Sequence, residues 1–111
     1  MSWEVILLES DTLGEPDAKL GAILISNYLR LLGERDKLPK FIVLLNGGVR
    51  LATKASAVLE HLIKLEERGV KVISCLTCVE YFGIEHEIAV GKIDGMKSIQ
   101  GILEEHSVLT V

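Results

Sequence analysis

The sequence predicts a single-domain three-layer α/β/α sandwich with a mainly parallel sheet. Short apolar runs typical of buried strands alternate with segments whose apolar residues recur every three or four positions. The connections between them are short and rich in glycine and polar residues. The chain has 111 residues and is 49% hydrophobic, which suffices for one core but not for two ordinary domains. Residues 1–111 are therefore expected to form one domain.

The individual elements follow from these patterns. Buried strands are predicted at 3–8, 41–45, 70–74 and 108–111, and helices at 17–32, 56–67 and 95–105. The first helix is predicted from the recurrence of Leu20, Ile23, Leu24, Tyr28 and Leu31. Residues 79–82 favour a helical turn, 84–90 a short helix or turn, and 91–93 a short strand or loop. Strands that alternate with helices in this way require right-handed crossovers, which place helices on both faces of a parallel sheet.

Composition excludes several classes of function. The net charge is −4, and 12 basic residues are scattered among 16 acidic ones, so no nucleic-acid partner is expected. No apolar run approaches the roughly 20 residues of a membrane span, and the first residues resemble a strand rather than a secretion signal. We therefore expect a cytoplasmic protein. A mean hydropathy of +0.37 is high for a small soluble monomer and predicts a homo-oligomer.

Three polar loops follow predicted strands, at 10–14, 46–49 and 75–78. In a parallel sheet these loops meet at the carboxyl edge, where ligands bind near the reversal of strand order. Only the third loop carries a strong nucleophile, the thiols of Cys75 and Cys78. In a reducing compartment such a pair is more often reactive or metal-binding than a structural disulfide. We predict a sulfur-centred site at this loop.

The spacing of the pair suggests different roles for its two members. If Thr77 caps the following helix, Cys78 lies in the first helical turn, where the dipole lowers the thiol pKa. Cys75, placed in the loop before that turn, is expected to be the more exposed sulfur. Two thiols at this spacing permit a persulfide on one to be resolved by the other. The alternative interpretation is that both are small buried core residues.

Other candidates are weaker. Asn46, Gly47 and Gly48 are predicted to contact an anion, although a tight strand-to-helix turn explains them as well. Asp11 and Thr12 are further ligand candidates, with local backbone hydrogen bonds as the alternative. A zinc site lacks ligands because the three histidines lie far apart in the sequence, at His61, His86 and His106. We predict neither a resident metal nor a cofactor.

At these residues the sequence resembles the DsrE-like superfamily of sulfur-relay proteins, and most closely the DsrE-type C-terminal domain of YedF-like proteins associated with selenium metabolism. The matching stretches are 10–14, 38–39, 46–51, 65–70, 74–78 and 91–96. The resemblance implies a flavodoxin-like fold, association into oligomers, and a persulfide-carrying cysteine after the third strand, here at Cys75. The sequence departs from the YedF-like pattern at Leu76, where glycine is usual, and at Asp94-Gly95, where Thr-Asn is usual.

These observations favour a sulfur or selenium relay protein that carries sulfane sulfur as a cysteine persulfide, in the manner of a sulfurtransferase. Full-length YedF-like relatives carry a TusA-like domain before this one. The donor or acceptor is therefore expected to be a separate protein, TusA-like or cysteine desulfurase-like. The alternative is a non-catalytic oligomeric binding or scaffold module that recognises a small anion or a partner protein. In either case we expect some of the apolar cluster that follows the thiols, Val79, Tyr81, Phe82 and Ile84, to face another subunit, with completion of the chain's own core as the alternative.

Overall fold

The computed structural model describes residues 3–111. Its strands are β1 (Val5–Leu8), β2 (Phe41–Leu44), β3 (Lys71–Cys75), β4 (Lys92–Asp94) and β5 (Val108–Thr110). Its α-helices are α1 (Ala18–Leu32), α2 (Leu59–Glu67), α3 (Leu76–Phe82) and α4 (Met96–Glu105). Two 3₁₀ segments, Asn46–Ala52 and Glu85–Glu87, complete the order of elements.

All five strands form one parallel sheet in the order β4-β3-β2-β1-β5. The chain therefore moves outward from β1 to β4 and then returns to place β5 on the other side of β1. The register sets Leu8 beside Leu44, Leu44 beside Ser74, and Cys75 beside Asp94. The α/β fold class predicted from the sequence is confirmed.

The two faces of the sheet carry different layers. Side chains alternate along each strand, so Ile6 and Leu8 of β1 join the larger core with α1, α2, α3 and the segment Asn46–Ala52. Val5 and Leu7 point the other way, into a smaller core whose helical member is the fully buried Ile99 of α4. One face is thus covered by three helices and the other by α4 alone.

Several boundaries differ from the sequence expectation. The strand β3 continues through Cys75, and α3 begins at Leu76 rather than at residue 79. The helix α2 begins at Leu59, three residues later than predicted. The segment after β2 was expected to be only a turn, but it forms a 3₁₀ helix because Val49, Leu51 and Ala52 are apolar and buried in the larger core.

Helix α1 forms where the sequence predicted it, yet its buried face is a different one. The residues that pack on the sheet are Gly21, Ile25, Leu29 and Leu32. Of the five apolar residues that predicted the helix, Leu20, Ile23, Leu24 and Leu31 are exposed, and Tyr28 is half-buried. Helical periodicity identifies the helix, but it does not identify which apolar stripe is buried when the helix has two.

The structure divides the apolar cluster after the thiols between the core and the surface. Val79 and Ile84 are buried in the larger core, and Phe82 is partly buried against it. Only Tyr81 is fully exposed, at 85% of its surface. The short α3 and the turn after it bury more of this cluster than their length suggested. Within residues 3–111, no helix combines the length and apolar character needed to cross a membrane.

Candidate functional site

The two thiols lie at the carboxyl end of β3, on opposite sides of the point where strand changes to helix. Cys75 is the last strand residue and the N-cap of α3. Because strand side chains alternate, it shares the face of Ile73, in the smaller core beneath Ile99, and only 1% of its surface is exposed. The expectation that Cys75 is the more exposed sulfur is therefore wrong.

Cys78 occupies the first turn of α3 and is half-buried. It packs against both cores, which places its sulfur at the rim of the sheet rather than beneath one face. Thr77 does not cap the helix as predicted, because α3 begins one residue before it, after Cys75. The exposed Thr77 lies within the helix instead. The strand β3 runs one residue further than predicted. Cys75 therefore lies in the strand instead of the loop, and Thr77 lies inside the helix instead of at its cap.

A hydrogen bond joins the loop after β2 to the thiol after β3. The backbone N–H of Asn46 donates to Cys78 Sγ at 3.1 Å. Asn46 adopts a positive φ of 51°, a conformation that asparagine tolerates better than most residues. Asn46, one of the residues predicted to contact an anion, thus contacts the sulfur of one of the two predicted site cysteines.

Burial governs the acidity of the Cys78 thiol. It raises the pKa of Cys78 above the ordinary thiol value, the Asn46 N–H partly opposes this, and the neighbouring Cys75 sulfur raises the pKa further. The expectation of a pKa lowered by the helix dipole is wrong here, because desolvation outweighs the backbone donor. Both cysteines are free thiols, and Cys78 is predominantly protonated at neutral pH.

The two glycines after Asn46 have different surroundings. Gly48 is buried, and a Cβ at this position would collide with the carbonyl oxygen of Leu8. Gly47 is more open, since an added Cβ would lie 3.8 Å from the backbone nitrogen of Asp11 and 3.9 Å from its Oδ1. Gly48 therefore permits the close approach of two chain segments that the loop requires, and this is what brings the loops after β1 and β2 together.

Asp11 and Thr12 reach the same edge of the sheet but face the α1 side. With Arg50 and Ser56 they line a cavity of about 300 Å³. The hydroxyls of Ser10 and Thr12 lie 3.2 Å apart. The structure therefore divides the predicted site residues into a sulfur cluster, formed by Cys75, Cys78 and Asn46, and a neighbouring polar cavity.

Arg50 was not recognised in the sequence as a site residue. Its guanidinium carbon lies 4.4 Å from the centroid of the Phe82 ring, a distance typical of a cation–π contact. Two contacts join the 3₁₀ segment to α3: Asn46 with Cys78 and Arg50 with Phe82. From the first contact to the second, both segments advance by four residues, so they run side by side in parallel. The sequence signal for Arg50 is its charge, because it is the only charged residue in the mostly apolar and glycine-rich stretch 41–53.

The histidines do not join the thiols. His106 lies at the other end of the sheet, where its Nδ1 is 2.7 Å from the Ile102 carbonyl and its ring packs edge-on against Phe41. Among residues 3–111, no three His, Cys, Asp or Glu side chains come together as metal ligands.

The reversal of strand order falls between β1 and β5. The loop of Asp11 and Thr12 adjoins this reversal, whereas the thiols lie two strands away from it.

Comparison with known proteins identifies the fold of this chain and nothing beyond it. No family model and no curated protein matches the sequence. Solved structures do match, and they share the five-stranded parallel α/β fold of this chain.

YchN of Escherichia coli superimposes with a TM-score of 0.69 at 18% identity, over 99% of this chain and 100% of that one. The protein of unknown function MTH1491 from Methanobacterium thermoautotrophicum gives 0.68 at 18% identity, over 96% of both chains. The conserved protein of unknown function BT1422 from Bacteroides thetaiotaomicron gives 0.66 at 15%, over 96% of this chain and 93% of that one.

Proposed function

We propose that this protein is a sulfur carrier that holds a sulfane sulfur as a persulfide on Cys78. The observation that carries the proposal is the bond from the Asn46 N–H to Cys78 Sγ at 3.1 Å. It places the more exposed thiol where two strand-end loops meet and supplies a donor that favours a negatively charged sulfur. This assignment exchanges the two roles suggested by family position, because Cys75 is buried in the smaller core.

The transfer chemistry requires only thiols. The Cys78 thiol loses its proton, and the thiolate attacks the outer sulfur of a donor R–S–SH. The new bond joins Cys78 Sγ to that outer sulfur, and the S–S bond of the donor breaks. The leaving R–S⁻ takes up the proton that Cys78 released, and the overall redox state is unchanged. An acceptor thiolate then removes the outer sulfur by the same reaction.

Cys75 is suited to resolve the persulfide. Its sulfur is close enough to Cys78 to raise the pKa of that thiol. Attack of the Cys75 thiolate on Cys78 Sγ would form a disulfide and release the outer sulfur as hydrosulfide, so that both cysteines are oxidised and the sulfane sulfur is reduced. The resemblance to YedF-like proteins extends the proposal to selenium. It also suggests a TusA-like or cysteine desulfurase-like partner protein, and a homo-oligomer.

Intact mass measured after incubation with inorganic polysulfide tests the proposal. Cys75→Ala should gain one sulfur atom and keep it, and Cys78→Ser should gain none. Wild type should gain one sulfur atom and then lose it, with two hydrogens, as Cys75 closes the disulfide. A gain on Cys78→Ser with none on Cys75→Ala would restore the carrier role to Cys75. If no variant gains sulfur while all remain folded by circular dichroism, the carrier function is refuted.

A second candidate function is binding of a small anion in the cavity beside Asp11 and Thr12. Arg50 lines this cavity, and no carboxylate within residues 3–111 forms a salt bridge with it. A cation of this kind suits a carboxylate or sulfur oxyanion. Isothermal titration with sulfate and thiosulfate tests it: Arg50→Gln should abolish binding, whereas Lys54→Gln, outside the lining residues, should not.

A further inference from the structure

A cleft opens where the C-terminal half of α1 passes beside the edge strand β5. On this face of the sheet the β1 and β2 side chains are buried, whereas Leu109 of β5 is only half-buried, because β5 lies outside β1 at the edge. Two adjoining cavities of about 150 and 370 Å³ occupy this place, and they share Tyr28, Leu32 and Arg35. We term the two cavities together the amino-edge cleft.

Aromatic and aliphatic side chains form the walls of the cleft. Trp3 precedes β1 and Pro39 precedes β2, so the cleft lies at the amino edge of the sheet, at the opposite end from the thiols. Trp3 is 39% exposed and Tyr28 is half-buried. Rings in this state offer a planar aromatic ligand surfaces on which to stack. Ligand sites are mostly apolar concavities of about 300–1,000 Å³, and the larger cavity is of that size.

Two cations, Arg35 and Lys37, also line the cleft. Neither forms a salt bridge within residues 3–111. Glu34, the acid next to Arg35, pairs instead with Arg30 on α1 at 3.3 Å, and Asp36 is not among the lining residues. No acidic side chain of the described residues lines the cleft. It is therefore positively charged, although the chain as a whole carries a net charge of −4.

The loop that carries Arg35 is fixed from a second helix. Arg68, at the end of α2, donates to the carbonyl oxygens of Gly33 at 2.6 Å and of Arg35 at 3.1 Å. Burial raises the pKa of Tyr28, and the nearby charge of Arg35 partly opposes this. The Tyr28 hydroxyl therefore stays protonated at neutral pH and can donate a hydrogen bond. A loop held in this way loses little conformational freedom when a ligand binds.

We infer that the amino-edge cleft binds a small aromatic carboxylate, with its ring against Trp3 and Tyr28 and its carboxylate at Arg35 and Lys37. A guanidinium matches the two oxygens of a carboxylate, and an ammonium adds a point charge. A neutral aromatic compound leaves both cations without a partner, and an aliphatic acid loses the contact between rings. The inference goes beyond the carrier function, because both the thiols and the Arg50 cavity lie at the other edge of the sheet.

Nuclear magnetic resonance can observe the cleft directly, because Trp3 is the only tryptophan of the chain. Titration of the isotopically labelled protein with cinnamate should shift the single indole N–H resonance until it saturates. Cinnamamide, which lacks the charge, and octanoate, which lacks the ring, should each bind at least about tenfold more weakly. Cinnamamide that binds as tightly as cinnamate would overturn the role of the cations. Octanoate that binds as tightly would overturn the preference for a ring.

Substitutions separate this site from a general effect of charge. Arg35→Gln should weaken cinnamate binding at least about tenfold. Arg30→Gln and Arg50→Gln remove the same charge outside the cleft and should change the affinity less than about twofold, since salt screens distant charges. Residue 35 is exposed, so the variant should keep a dispersed amide spectrum.

An indole resonance that does not move in wild type, or an Arg35→Gln variant that binds normally, would overturn the inference. The double variant Cys75→Ala, Cys78→Ala should bind cinnamate as wild type does. The cleft and the carrier function therefore fail separately.

Discussion

Cys75 and Cys78 are three residues apart, yet they belong to different environments. The first ends a strand and is sealed beneath α4. The second lies in the first turn of a helix, is half-buried at the rim, and accepts a hydrogen bond from the loop after the adjacent strand. The period of side-chain direction changes at Leu76 from two residues to 3.6, and this change alone separates a core thiol from an accessible one. A Cys-x-x-Cys pair therefore behaves as two unlike sites when the strand boundary falls inside it.

The largest expected contrast is in reactivity under native conditions. Iodoacetamide should modify Cys78 at least about a hundredfold faster than Cys75, because Cys75 reacts only when the structure around β3 opens. Peptide mass spectrometry after timed quenching measures both rates in one sample. The ratio should approach one in concentrated urea. Comparable rates without denaturant would show that the smaller core does not protect Cys75.

The next effect concerns the loop that donates to Cys78. Gly48→Ala should destabilise the protein by about 3 kcal/mol, because the new methyl group meets the Leu8 carbonyl, a backbone atom that cannot move aside cheaply. Gly47→Ala is the matched control and should change stability by less than about 0.5 kcal/mol. Urea unfolding measures both. In Gly48→Ala, Cys78 should also become more accessible to alkylation. Equal stabilities would mean that the loops do not require this close approach.

A smaller difference is expected when each thiol is removed. Cys75→Ala should cost about 1–2 kcal/mol of unfolding free energy, since it leaves a small void in a closed core. Cys78→Ala should cost less than about 1 kcal/mol, because the rim can relax or hydrate. Chemical denaturation of the two single variants gives the comparison. A larger loss at Cys78 would indicate that its bond to Asn46 matters more for folding than the burial of Cys75.

The subtlest effect is on the acidity of Cys78. Its pKa is raised first by burial and then by the Cys75 sulfur, so its alkylation rate should still be rising above the ordinary thiol pKa of about 8.5. Cys75→Ala removes the second cause and should shift the rate profile towards lower pH. Stopped-flow alkylation from pH 6 to 11 measures the shift. A profile that moves to higher pH would show that the neighbouring thiol stabilises the thiolate.

The fold was largely predictable because the signals that define it are local. Alternating apolar runs and helical periods indicated the parallel sheet, and the glycine and polar turns located most connections. The 3₁₀ segment Asn46–Ala52 was missed, since its apolar residues match neither the strand nor the helix period over so short a span. The buried face of α1 was also not predictable, because Gly21 contributes to it by allowing close contact with the Thr12 side chain rather than by being apolar.

The candidate site was predictable only in part. The thiol pair and Asn46 could be identified because the residue types and their position after strands point to the carboxyl edge. The relative burial of the two thiols depended on whether β3 ends at residue 74 or 75, and periodicity does not resolve one residue. Arg50 could not be paired with Phe82 until the 3₁₀ segment and α3 were known to run side by side.

The two outermost strands of the sheet are its shortest, with three residues each in β4 and β5. An unpaired strand edge is a template on which further chains can add without limit. Here each edge offers few free backbone groups, and on β4 the ion pair of Lys92 with Asp94 at 3.5 Å adds charge that an incoming strand would have to desolvate. Open-ended addition of strands at either edge of the sheet is thereby disfavoured.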